Sequence, residues 1–113
     1  MSLLKLSHNN QVNFDPIEKA QFIINQIPSQ NLIAEAYLFG SAVNGKFTVD
    51  SDFDFVISCK TAVDIKKLQK EVYSANFSDI AIDWIFKLAD EFEVRKNMGG
   101  VCFEAFHYGK KMK

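Results

Sequence analysis

The stretch Leu38–Ile57, LFGSAVNGKFTVDSDFDFVI, decides how this chain is to be read. Two phosphate- or metal-binding patterns overlap in it. Gly40, four residues, Gly45 and Lys46 begin like a P-loop. A P-loop continues with Ser or Thr, whose hydroxyl binds magnesium, and it opens a helix whose backbone N–H groups meet the phosphates. Here Phe47 follows, and then TVDSDFDF, which is β-branched, aromatic and acidic. The P-loop reading fails on both counts. Asp50, Asp52 and Asp54 match the alternating acids of a calcium loop, yet its sixth position is Phe55 instead of Gly and its twelfth is Thr61 instead of Glu. That reading fails too.

A third reading explains more residues. From Asp52 to Ser58 the apolar period is two: Phe53, Phe55 and Ile57 point one way, Asp52 and Asp54 the other. Like charges side by side raise each other's pKa unless a cation comes between them. Asp83 lies in a second apolar strand, IAIDWIF, where an unpaired carboxylate is costly. Acids from two neighbouring strands suit a pair of magnesium ions, with manganese as the alternative ion, because magnesium takes a few carboxylates plus water and phosphate. Two ions about 4 Å apart clamp the attacking and leaving oxygens of a phosphoryl group. Taken alone, Asp52 and Asp54 read better as the solvent face of an edge strand. With Gly40–Ser41 before them and Asp83 after, the metal reading is the stronger one. A D-x-D glycosyltransferase would need a larger nucleotide-sugar fold than 113 residues provide.

Outward from this stretch, helices alternate with strands. FDPIEKAQFIINQIP reads as a helix with Asp15 as cap, Pro16 in its first turn, and Ile17, Ala20, Ile24 and Ile27 on one face. Ala36–Phe39 reads as a strand closed by Gly40. Thr61 caps a second helix that carries Ile65, Leu68 and Val72. DIAIDWIF is a strand with Ile80, Ile82, Trp84 and Phe86 on one face and Asp83 on the other. KLADEFEVRKN is a short helix stopped by Gly99–Gly100, and VCFEAF a last strand. The pattern predicts one α/β (α+β) domain over residues 1–113: a small mixed sheet of about four strands with helices packed on it. Residues 1–13 and 108–113 are expected to be a loose N-terminus and a loose tail.

Composition bounds the function. Eleven Phe supply a core, and hydrophobic residues make up 48% of the chain. No apolar run approaches the roughly 18 residues of a membrane span, and the start has no signal-peptide pattern, so a cytoplasmic protein is expected. Cys59 and Cys102 lack CxxC partners and read as buried or half-buried free thiols. A formal net charge of −1 argues against nucleic-acid binding, whose affinity comes from neutralised phosphates. The basic cluster of the tail, Lys110, Lys111 and Lys113, reads as a solvated end.

FGS, then DFDF, then IDW resemble the signature elements of the DNA polymerase β-like nucleotidyltransferase superfamily. The longer pattern G-S-x-x-x-G-x-x-x-x-x-S-D-x-D is met by Gly40, Ser41, Gly45, Ser51, Asp52 and Asp54, and is similar to the minimal nucleotidyltransferase group. The resemblance implies the nucleotidyltransferase fold and transfer of a nucleoside monophosphate, AMP from ATP, to an acceptor hydroxyl. It implies that Gly40, Ser41 and Lys46 hold the triphosphate. Asp52 and Asp54 would bind two magnesium ions, and Asp83 the ion that activates the acceptor, with Asp83 also a candidate base. Many minimal members carry basic residues between Gly-Ser and the next Gly; here Ala42, Val43 and Asn44 bring no charge. The group also resembles one half of antitoxin pairs with a HEPN-type protein partner. The acceptor could therefore be that partner or another copy of the chain, as a homo-oligomer. The alternative function is a non-catalytic or weakly catalytic antitoxin-like binding module.

Overall fold

Helix α1, Pro16–Asn25, starts where its cap predicts: the Asp15 carboxylate accepts from the N–H groups of Ile17, at 2.9 Å, and Glu18, at 3.4 Å. The computed structural model describes residues 12–77 and 79–113. Most of the expected loose start, residues 1–11, lies outside the described residues. After a single 3-10 turn, Gln30–Leu32, the chain enters β1, Glu35–Phe39. Helix α2 is one turn, Ser41–Asn44, and leads through a loop to β2, Phe53–Cys59. Helix α3, Ala62–Ser74, is capped by Thr61, whose hydroxyl accepts from the Asp64 N–H at 3.1 Å. It carries the chain over to β3, Ile82–Leu88. Helices α4, Ala89–Arg95, and α5, Gly100–Tyr108, follow, and β4 is Lys110–Lys111.

The sheet order is β3-β2-β1-β4. β2 and β3 are parallel, which requires the α3 crossover; the other pairs are antiparallel. Period two sorts each strand onto two covered faces. Ala36, Leu38, Phe53, Phe55, Ile57, Cys59 and Trp84 join the buried residues of α1 and α3 in one cluster. Tyr37 and Val56 join Phe92 of α4 and Cys102 and Ala105 of α5 in the other. The phenylalanines form a stacked row on the first face: Phe47 on Phe53 at 4.8 Å between ring centres, and Phe55 on Trp84 at 5.0 Å. Both cysteines are buried free thiols. No described helix is long and apolar enough to cross a membrane.

Two expectations are corrected. Residues 101–106 are not a strand but lie within helix α5. Their apolar run is short, and Cys102 and Ala105, three apart, bury one helical stripe against the second face, where a strand would alternate. The fourth strand is instead Lys110–Lys111, so 108–113 is not a loose tail. Lys110 pairs with Leu38 and Lys111 with Tyr37, the Met112 N–H donates to the Ala36 carbonyl at 2.7 Å, and Met112 is buried. Gly109 makes this docking possible. A Cβ there would stand 2.3 Å from the Ala105 carbonyl oxygen and 2.5 Å from that of Leu38. A smaller difference is that β3 begins at Ile82, not at Asp79.

Candidate functional site

The end of β1 and the starts of β2 and β3 meet at one end of the sheet. Register places Asp54 opposite Phe39 on one side and opposite Asp83 on the other. Asp83 thus comes beside Asp54 through the parallel pairing alone, across a sequence gap that α3 fills. The Phe53 N–H donates to the Ala81 carbonyl at 3.0 Å, which carries the ladder back towards Asp52. Asp52 and Asp83 are exposed and Asp54 is half-buried.

Gly40 holds the turn that completes this end. Its φ of 78° and ψ of −150° are open essentially to glycine alone. A Cβ on Gly40 would stand 2.5 Å from Oδ2 of Asp54, so backbone and carboxylate approach as closely as they do only because no side chain intervenes. Ser41, half-exposed, opens α2; Gly45 closes it at φ 83°. The Ser51 hydroxyl accepts from the Thr48 N–H at 2.9 Å and pins the turn before Asp52. Lys46 is exposed, and its N–H donates to the Ser41 carbonyl at 3.2 Å and the Asn44 side chain at 3.1 Å. With Val12, Phe14, Val43 and Phe47 it lines a cavity of about 580 Å³ beside α1, which the three acids do not line.

Electrostatically the site is one-signed. Burial, then the facing charge of Asp83, then Asp52 and Glu104, push the Asp54 carboxyl above its ordinary range. The ion pairs among the described residues are Lys87–Glu91, Arg95–Glu91, Lys96–Glu93 and Lys111–Glu35, and none of them neutralises Asp52, Asp54 or Asp83. Among the described residues no three His, Cys, Asp or Glu side chains gather closely enough to hold a metal unaided. What the fold offers is a group of carboxylate oxygens at one end of the sheet, beside a glycine turn. Sequence reasoning missed Glu104 as a neighbour of this set because it assigned 101–106 to a strand. The helical spacing of Cys102 and Ala105 was the available signal.

The family description Polymerase beta, Nucleotidyltransferase matches residues 21–112. The chain belongs to that family. The match begins within α1 and runs into the last residues after β4, and it takes in the nucleotidyltransferase-like signature from Phe39 to Asp83. Among solved structures, a crystal structure of the toxin-antitoxin MntA-HpeT mutant is similar, with a TM-score of 0.50 and 16% identity. The likeness covers 88% of this chain and 73% of that one, and at such identity it bears on the fold. No curated protein matches the sequence.

Proposed function

We propose that this chain is a metal-dependent nucleotidyltransferase that moves a nucleoside monophosphate, AMP from ATP, onto an acceptor hydroxyl and releases pyrophosphate. The observation that carries this reading is the pairing of Asp54 with Asp83 across β2 and β3, at the sheet end where Gly40 turns against the Asp54 carboxylate. A half-buried carboxylate among like charges, with no cation paired to it among the described residues, is the situation a divalent ion relieves. Asp52, Asp54 and Asp83 would hold two magnesium or manganese ions. An incomplete protein ligand set suits magnesium, which keeps water and substrate phosphate in its shell. Bound there, the ions would neutralise the phosphates and make the acceptor hydroxyl more acidic.

The chain's own residues take the remaining parts. Gly40 lets the triphosphate approach the backbone, Ser41 offers a hydroxyl, and Lys46 offers an exposed cation from the α1 side. Asp83, exposed at the sheet end, takes the proton of the acceptor hydroxyl. The acceptor oxygen bonds to the α-phosphorus as the bond to pyrophosphate breaks. The acceptor is proposed to be a hydroxyl of a HEPN-type partner protein.

The test is incubation with α-labelled ATP, magnesium and candidate acceptors, a HEPN-type partner and a second copy of the chain included. Label should transfer with the native protein and not with Asp52→Asn. No transfer to any acceptor, together with no nucleotide or metal binding by calorimetry, would sink the proposal.

A second reading, neutralisation of a toxin by binding alone, is favoured by the uncharged Ala42–Val43–Asn44 turn and by the similarity in fold to a toxin-antitoxin structure. The mutant in that structure replaces two aspartates two positions apart, the spacing of Asp52 and Asp54, by glutamate. An Asp54→Ala variant that still protects cells from the partner would make transfer dispensable and leave binding as the function.

A further inference from the structure

Helix α3 buries one side in the core and leaves the charges of its other side unanswered. Leu68 and Val72 enter the cluster on the first face of the sheet. Lys66, Lys70 and Tyr73 are exposed on the outward side, and with Gln69 they line a shallow concavity of about 540 Å³. Val63, two helical turns before Lys70, extends the same stripe. Val63 is 77% exposed and Tyr73 64%, so both apolar ends of the stripe are open. Neither Lys66 nor Lys70 has an acid three or four residues away, where a helix forms its ion pairs. They stand four residues from each other, a spacing at which like charges repel. Glu71 turns instead to Ser29, whose N–H and hydroxyl donate to its carboxylate at 3.1 and 2.6 Å. Among the described residues neither lysine has an ion pair.

We infer that the outward side of α3 is a docking surface for an acidic helix of a partner protein. Charge complementarity names the occupant. Carboxylates one turn apart on the partner would meet Lys66 and Lys70, and apolar residues would meet Val63 and Tyr73. Those two ends are about 15 Å apart along the helix, so about three turns of a partner helix cover the stripe. Tyrosine is a residue type that anchors protein interfaces. A polynucleotide fits less well, because its affinity needs many neutralised phosphates and the chain carries a formal net charge of −1. A second copy also fits less well. Its most acidic helix, α4, already pairs Glu91 with Lys87 and Arg95, and Glu93 with Lys96. The first face, on which α3 packs, is opposite the face that Asp54 shares with Val56. The inference therefore does not rest on the nucleotidyltransferase reading.

The experiment titrates the full, nitrogen-15-labelled chain with a synthetic helical peptide that carries glutamates four residues apart between terminal leucines. Amide shifts locate the contact, and fluorescence anisotropy of the labelled peptide gives the affinity. The same peptide with lysine for glutamate, a single-stranded RNA oligonucleotide, and the chain alone at rising concentration are run beside it. Shifts from the acidic peptide should concentrate between Val63 and Ser74, with a dissociation constant below about 1 mM in about 50 mM salt. Raising the salt to about 0.5 M should weaken binding by about fivefold, as screening shortens the reach of the lysines. Lys66→Glu with Lys70→Glu, first shown by circular dichroism to be folded, should weaken it by about tenfold or more. Tyr73→Ser should weaken it by about fivefold. Asp90→Asn, on α4, should leave it within about twofold. No shifts on α3 at millimolar peptide, equal binding of the lysine peptide, tighter binding of the RNA, or self-association that perturbs the same amides overturns the inference. Each of these outcomes leaves the nucleotidyltransferase reading standing.

Discussion

Glu35 and Asp54 are carboxylates at opposite ends of the same pair of strands, and their surroundings could hardly differ more. Glu35 begins β1, is paired to Lys111 at 3.1 Å and accepts from the Tyr37 hydroxyl at 3.2 Å. Its charge is answered from within the chain. Asp54, near the start of β2, faces Asp83, feels Asp52 and Glu104, and among the described residues has no ion-paired cation. The difference teaches where to look for a ligand. A charge satisfied internally holds the fold together; a charge crowded by its own kind waits for something from outside.

The largest effect expected from breaking this contrast is on chemistry. Asp54→Ala should cut nucleotidyl transfer by about 10³-fold or more, while Glu35→Ala should change it by less than about threefold. Initial rates with labelled ATP decide, and similar losses in both variants would remove the distinction. Next in size is the turn that touches Asp54. Gly40→Ala forces a side chain onto a backbone of φ 78° and against the Asp54 oxygen, so a loss of about 1–3 kcal/mol in stability is expected by urea unfolding. The same experiment on Gly45→Ala, which meets nothing within 4 Å, should show only the backbone part of that cost.

Smaller still, and of opposite sign, are the neutral isosteres. Glu35→Gln removes an ion-paired charge and should cost about 0.5 kcal/mol. Asp54→Asn removes a repelled charge and should raise the melting temperature of the metal-free protein by about 2–4 °C, after allowance for solvent screening. Parallel thermal melts in chelator would show it, and two shifts of the same sign would break the comparison. Least of all in free energy are the thiols, which sharpen it as internal controls. Burial holds the Cys59 thiol up at about 11 and also raises Cys102, so at pH 8 both stay protonated in the folded state. Iodoacetamide should label neither until denaturant is added, as mass spectrometry would record.

Much of this molecule was legible along the chain. The caps at Asp15 and Thr61, the period-two strand at β2 and the one-sided apolar face of Ile80, Ile82, Trp84 and Phe86 are all local patterns. The signature residues Gly40, Ser41, Asp52, Asp54 and Asp83 were legible for the same reason, since their spacing is a property of sequence. The segment 101–106 was misread because six apolar and polar residues can serve a buried strand or a helix, and only the neighbour they pack on distinguishes them. Lys110–Lys111 carries no strand propensity at all; its pairing to β1 follows from α5 docking and from the space at Gly109.

By itself, then, the sequence determined the elements from the first helix to the third strand, the inventory of acids and the family to which they point, because caps, periodicity and motif spacing are short-range. Only the tertiary structure decided who meets whom. It set Asp83 beside Asp54, put Gly40 against the Asp54 carboxylate, tied Lys111 to Glu35 and paired Lys110 with Leu38. Each of these contacts joins residues far apart in the chain, and its geometry comes from strand register and packing, which no local stretch encodes.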